Sequence, residues 1–281
     1  MAKLLAKAAS PEVLNAAWKR LHNDKAVWSN KMSRREMEKN LVYHMLKLGD
    51  ELRSGKYRPD PVRFFPVSKG NGKQRIISAY NLRDKVAQRA VLTVIEPFGE
   101  KIFHHDSFGY RPGRTIDMVL SRIREYMLCG FKWVVDADIQ SYFDNILHKP
   151  LLVSLKHVVN EIEITELIKR WIETGTIKRG FLDSARGIPQ GAVISPFLCN
   201  IYLTALDDAL SNGNLPFVRF ADDFLVFAKT EKDAFKAHIF VEKKLKKLGL
   251  KLNADKTRVA ECGPRVEFLG KKLPKLKKNC G

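Results

Sequence analysis

The sequence predicts an α+β fold in which an antiparallel sheet of the split βαβ type carries helices on one face. Two observations carry this. From residue 132 onward the order reads strand, helical segment, strand–turn–strand, helix, strand, which suits such a sheet. The chain has 281 residues, 45% of them hydrophobic, enough for a sizeable core and too many for a disordered chain.

Each element has a local reason. Residues 1–57 read as helical and basic, with apolar positions such as Leu14, Trp18, Leu21, Leu41, Met45, Leu46 and Leu52. Residues 57–66 (YRPDPVRFFP) are broken by prolines and therefore extended. VSKGNGKQRIIS then gives two strand-like runs around Gly70-Asn71-Gly72, a hairpin rimmed by Lys69, Lys73 and Arg75. Residues 84–98 repeat apolar positions at helical spacing, with Pro97 and Gly99 helping to close the helix. After the glycine-containing loop SFGYRPGR, a second helix covers 115–127 with Thr115 as N-cap.

Residues 132–138 (KWVVDAD) form a short β-run ending in acid, and 146–180 read as mostly helical. GIPQGAVISP leads into a helix with Ser195 as N-cap and Pro196 as its first residue. FVRFADDFLVFA places two apolar β-runs around a tight Ala221-Asp222-Asp223 connection. A basic helix over 231–248 stops at Gly249, and a strand at 257–260 follows. A hairpin around Phe268-Leu269-Gly270 and a tail with five lysines, KKLPKLKKNCG, complete the chain.

Lysine and arginine number 50 against 31 aspartates and glutamates, a formal net charge of +19. Such an excess favours a polyanionic partner, nucleic acid first and an anionic membrane surface second. No apolar run approaches a membrane span, and MAKLLAKAAS lacks a signal-peptide core. Cys129, Cys199, Cys262 and Cys280 are far apart and form no C-x-x-C pair. They read as buried small hydrophobes in a reducing cytoplasm, not as a zinc site or disulfide framework.

Adjacent aspartates are common in turns. In this cationic chain, however, Asp222 and Asp223 sit between strands apolar on both faces, and Asp138 ends another buried-looking strand. Crowded carboxylates repel unless a cation compensates. Three of them converging from neighbouring strands make an oxygen-rich site suited to Mg²⁺. Two such ions are the standard apparatus of in-line phosphoryl displacement.

These residues resemble the successive motifs of reverse transcriptases: DADIQSYFDNILH, GIPQGAVISP, FADD, then LNADKT followed by FLG. The segments KGNGKQRIISAYNLRDKVAQRA and SFGYRPGR are similar to the bacterial group II intron lineage in particular, and the match runs over about residues 50–270. The resemblance implies a right-hand polymerase with fingers and palm. On it, 1–57 is an N-terminal helical basic extension, 58–131 fingers, 132–147 palm with the first catalytic strand, 148–186 a helical insert, 187–273 palm and 274–281 a lysine-rich tail.

The resemblance also implies roles. Asp138, Asp222 and Asp223 would be catalytic and, with Ile139, would hold two Mg²⁺ ions, Mn²⁺ being a substitute. Lys69 and Arg75 would grip the triphosphate, where the arginine fork pairs two oxygens. Phe143 would block a ribose 2′-hydroxyl, its alternative being a plain core aromatic. Gln190 and Gly191 would pack near the incoming nucleotide, and Lys256 would protonate departing pyrophosphate. Arg111 and Arg114 would hold template phosphates. His104, His105 and His148 read as packing or surface residues.

Three departures stand out. Phe220 replaces the commoner tyrosine, and QGAVISP differs from QGSP-x-SP while keeping Gln190, Ser195 and Pro196. That combination argues against the diversity-generating retroelement branch, and retron accessory signatures are absent. The sequence also stops eleven residues after Gly270, so the thumb is expected to be absent or vestigial. A structured RNA or a protein subunit would then complete the grip on duplex, as suits a CRISPR-associated or antiviral-defence enzyme. The expected activity is RNA-directed DNA polymerisation. The alternatives are untemplated or protein-primed DNA synthesis and a noncatalytic RNA-binding scaffold.

Overall fold

In the computed structural model, residues 3–68, 74–176 and 185–275 are described. They divide into two units, Met1–Lys101 with Leu147–Ile201 and Ile102–Ile146 with Tyr202–Gly281.

The first unit is mostly helical. It begins with α1 (Lys3–Ala8), α2 (Pro11–Arg20), α3 (Arg34–Glu38) and α4 (Leu41–Arg53). Ser10 starts α2 by accepting from the Val13 N–H, with Pro11 in the first turn. Ser33 and Glu36 form a reciprocal capping box at α3. Leu14, Ala17 and Trp18 of α2 and Leu48 and Leu52 of α4 are buried. The hairpin follows as β1 (Arg63–Ser68) and β2 (Gln74–Ala79), paired from Arg63↔Ala79 to Ser68↔Gln74. Its tip, with Lys69 and Lys73, lies outside the described residues.

Helix α5 (Leu82–Glu100) is longer than the sequence predicts. Pro97 lies inside it: a proline removes one hydrogen bond, while the buried face continues to Gly99. The unit is completed by α8 (His148–Val159) and α9 (Ile162–Gly175) and by the start of α10 (Ser195–Asn212). Ser195 is the first residue of α10, and its hydroxyl donates to the Pro189 carbonyl at 2.7 Å. The helix therefore begins one residue earlier than predicted, at Ser195 itself, whose hydroxyl closes the preceding loop.

Within this unit Asp84 of α5 is fully buried and accepts hydrogen bonds from the Tyr57 hydroxyl and the Asp60 N–H. Burial is the main cause that pushes its carboxyl up to about 6. The folded state thus holds this proton more tightly than the unfolded chain, whose aspartates titrate near 3.9. The stabilisation it contributes is complete below about pH 4 and is lost as pH rises through about 6. Asp84→Asn should flatten the fall in unfolding free energy over that window. Parallel parent and variant curves in urea titrations would contradict this.

The second unit contains the predicted sheet. Its elements are α6 (Ile116–Leu128), β3 (Trp133–Asp138), α7 (Tyr142–Asn145), β4 (Phe217–Phe220), β5 (Asp223–Ala228), α11 (Glu231–Lys247), β6 (Arg258–Glu261), β7 (Glu267–Phe268) and β8 (Lys271–Lys272). The four-stranded sheet runs β4-β5-β3-β6 and is antiparallel throughout. Thr115 caps α6 as expected, accepting from the Met118 N–H.

Helix α11 packs on β3, β5 and β6 through Ala234, Ala237, Val241 and Leu245. The other sheet face, with Val134, Val218, Leu225 and Phe227, forms a core with Val119, Ile123 and Met127 of α6 and with Phe268 of β7. A strand alternates its side chains between faces, so Asp138 and Asp223 share that second face, at its far end. Leu269 and Gly270, both at positive φ, make the two-residue turn of β7–β8.

Candidate active site

Asp138 is the last residue of β3, and the register sets it directly opposite Asp223, the first residue of β5. Phe220 pairs with Asp223 across β4–β5, leaving Ala221 and Asp222 as a two-residue turn. Such turns need a positive φ, and Ala221 supplies it at φ 60°. A residue with a Cβ costs about 1–2 kcal/mol in that conformation, so its surroundings must hold it. One neighbour is Gly109, where an added Cβ would lie 2.3 Å from the Ala221 nitrogen.

The three carboxylates are crowded. Burial first, then the charges of Asp222 and Asp138, push the Asp223 carboxyl up to about 7. Lys256 answers part of this charge, its Nζ lying 3.1 Å from Asp138 Oδ1. Its hydrogen bond to Asp138 is the main cause that raises the Lys256 pKa. Asn253 Nδ2 donates to Asp138 Oδ2 at 2.8 Å, and the Asn253 N–H donates to the Asp138 carbonyl at 2.8 Å. Asp136 adds a fourth carboxylate two residues along β3, held by Arg258 at 3.1 Å.

Asn253 and Asp136 carry no role in the sequence reading. Asn253 lies inside the quoted LNADKT, and Asp136 has the alternation of β3 as its signal, since it shares a face with Asp138. The donor set is oxygen-rich, and an ammonium and an amide stand where positive charge is needed. That fits hard divalent cations. Phe143 lies on α7, half-buried, after Ser141 at φ 47°, while its neighbour Tyr142 is fully buried.

In the other unit, two of the residues expected to bind nucleotide, Gln190 and Gly191, lie in one loop packed on β2. Arg75 is exposed on β2. Three residues on, the Ser78 N–H donates to the Gln190 carbonyl at 2.7 Å. A Cβ on Gly191 would lie 2.8 Å from the Ser78 carbonyl oxygen, and its φ is 112°, so only glycine suits the position. The buried Gln88 fixes the same loop by accepting from the Val193 N–H at 2.8 Å.

The two loop arginines differ. Arg111 is buried over the Phe103 ring, and its guanidinium donates to the His104 and Ser107 carbonyls at 2.7 and 2.6 Å. Arg114 is partly exposed over Phe108. His148 is buried and bonds the Gly187 carbonyl, as packing predicts. His104, His105 and Asp106 bring potential ligand atoms within 4.8 Å of one another. Asp106 is nevertheless committed to Arg122 at 2.7 Å and to the Tyr126 hydroxyl at 2.5 Å. A cation there would have to displace a guanidinium.

The pattern of the reverse transcriptase (RNA-dependent DNA polymerase) family matches residues 67–273. The chain belongs to the reverse transcriptase family. Among curated relatives, protein YkfC of Escherichia coli K12 is 30% identical over 87% of this chain and 75% of its own length. The group II intron-encoded protein LtrA of Lactococcus lactis is 29% identical over 74% of this chain, which spans 35% of LtrA. These likenesses put the reverse transcriptase in the group II intron-like lineage.

Solved structures agree. A chain of a Cas6-RT-Cas1--Cas2 complex superposes with TM-score 0.50 and 25% identity, over 87% of this chain and 41% of that one. Telomerase from Candida tropicalis gives TM-score 0.59 at 13% identity, over 85% and 48% of the two chains, a likeness of fold alone. Reverse transcriptases are metal-dependent enzymes. Among the described residues no helix is long and apolar enough to cross a membrane.

Proposed function

We propose that this reverse transcriptase adds deoxynucleotides to a primer 3′-hydroxyl on an RNA template, with two Mg²⁺ ions held by Asp138, Asp222, Asp223 and the Ile139 carbonyl. The observation that carries the reading is the facing of Asp138 and Asp223 across β3–β5, with Asp222 in the adjoining turn. Bound there, the ions would lower the pKa of the primer hydroxyl and neutralise charge on departing pyrophosphate. Asp138, Asp222 and Asp223 aim their oxygens at the reacting end. Asn253 and Lys256 bond the Asp138 oxygens that would hold the ions, and Lys256 would hand its proton to pyrophosphate.

We read the sheet unit as palm and the helical unit as fingers, which moves residues 102–131 from the expected fingers to the palm and 187–201 from the expected palm to the fingers. Lys69 and Arg75 bind the triphosphate, and the Gln190–Gly191 loop supports the new base pair. Arg114 holds a template phosphate, while Arg111 keeps its loop folded. The net charge of +19 and the exposed lysines of α11 supply further cationic surface for the duplex. An RNA or an accessory protein shares that grip, as the intron-encoded and Cas-complex relatives suggest, and the enzyme works in the cytoplasm.

The test is primer extension by the purified chain with Mg²⁺ on RNA and DNA templates at graded salt. Extension on RNA, with products that shorten steeply as salt rises, is expected. Absence of nucleotide addition on either template at low salt would contradict the assignment. The Phe143 ring discriminates against ribonucleotides sterically. Phe143→Ala should lower the deoxy-to-ribo preference in kcat/KM by at least about tenfold, and an unchanged ratio would remove Phe143 from that role.

A further inference from the structure

Arg219 of β4 is a fully buried arginine, and its partner Asp207 on α10 is equally buried. Its Nε and Nη2 donate to the two Asp207 oxygens at 2.8 and 2.6 Å. Its Nη1 donates to the Ala221 carbonyl at 3.0 Å. That carbonyl belongs to the peptide plane whose nitrogen is Asp222's own. Peptide units are rigid, so fixing this oxygen fixes the direction in which Asp222 leaves the turn.

The backbone of Arg219 is held as well. Its N–H donates to the Asp106 carbonyl at 2.9 Å and its carbonyl accepts from the Phe108 N–H at 2.8 Å. Gly109 then closes on the nitrogen side of Ala221. One unfavourable residue, Ala221 at φ 60°, is thus clamped from both sides. A strained conformation persists only where its surroundings over-determine it.

Stability alone does not call for this pair. A buried ion pair can often be replaced by packed apolar side chains without loss of stability. Such a replacement would, however, offer no donor to the Ala221 carbonyl. We propose that Arg219, held by Asp207, is a positioning residue that sets the Ala221–Asp222 turn so that Asp222 faces the metal site. The assignment rests on Asp222 being a metal ligand.

The test compares the parent with the double variant Arg219→Met/Asp207→Leu. Melting curves report the fold, calorimetry reports Mn²⁺ affinity without turnover, and steady-state primer extension reports kcat, nucleotide KM and the Mg²⁺ requirement. A folded double variant should lose about a hundredfold in kcat, the order expected for a misplaced catalytic group. Its Mn²⁺ affinity should weaken and its half-saturating Mg²⁺ should rise, with nucleotide KM within about twofold, because uniform substrate binding is untouched. Arg219→Lys, which keeps a donor, should recover part of the loss.

A folded double variant with parental Mn²⁺ affinity and kcat would overturn the proposal. If the double variant shows no cooperative melt, Asp207→Asn decides by the same readouts, and parental values there overturn it. Asp222→Asn run alongside separates the two claims. If that variant retains parental activity, the metal-ligand reading fails first. If it is inactive while the Arg219 variants behave as the parent, only the positioning role fails.

Discussion

Asp222→Asn should leave the fold intact and reduce kcat for primer extension by at least about a thousandfold. The substitution keeps the shape of the side chain and removes one ligand charge. Metal ions supply several kcat-determining kcal/mol of charge stabilisation in such reactions, and each 1.36 kcal/mol is a factor of ten. The melting temperature should be equal or higher without metal, because Asp222 is among the charges that raise the neighbouring Asp223. Asp138→Asn should behave in the same way with respect to kcat. Equal activity in either variant and the parent would defeat the catalytic assignment of that carboxylate.

The second large effect is expected at Gly109. A methyl group there would lie 2.3 Å from the Ala221 nitrogen and 2.9 Å from the Phe220 carbonyl carbon, both backbone atoms that cannot swing aside. Gly109→Ala should destabilise the protein by about 1–3 kcal/mol, as overpacking does. Displacing the turn should also lower kcat by about a hundredfold. Gly113→Ala is the control on the same loop. Gly113 has φ +70° and nothing within 4 Å of an added Cβ, so its cost is conformational, about 1–2 kcal/mol, and kcat should hold. Thermal unfolding and steady-state kinetics on the two variants check both statements. Similar kcat values for the two would mean that contact with Ala221 does not matter.

Much of the sheet was legible because its rules are local. The β-run KWVVDAD that ends in acid and the apolar runs on either side of Ala221-Asp222-Asp223 locate β3, β4 and β5, and the carboxylates fall at strand ends by counting alone. Thr115 announces α6 for the same reason, since a cap bonds within its own first turn. The family's motif order adds which carboxylates matter.

What escaped the sequence depends on partners distant along the chain. Asn253 meets Asp138 across 115 positions, and no local pattern distinguishes it from an ordinary turn asparagine. Arg219 sits in an apolar strand, and only the folded chain reveals Asp207 beside it. Arg111 lies in a glycine-containing loop, where an exposed cation facing phosphate is a natural expectation. The loop instead wraps its own carbonyls around the guanidinium. Ser195 likewise has the residue type of a cap, but the helix already takes it as its first residue, and its hydroxyl donates to the Pro189 carbonyl.

The most direct measurement is an anomalous diffraction experiment on crystals soaked in Mn²⁺ with a primer–template and a nonhydrolysable deoxynucleotide. Two manganese peaks should appear between the side chains of Asp138 and Asp222, with the Lys256 ammonium moved off the Asp138 oxygen it now contacts. A ternary complex with nucleotide bound, Lys256 still on Asp138 and no peak at the carboxylates would contradict the account.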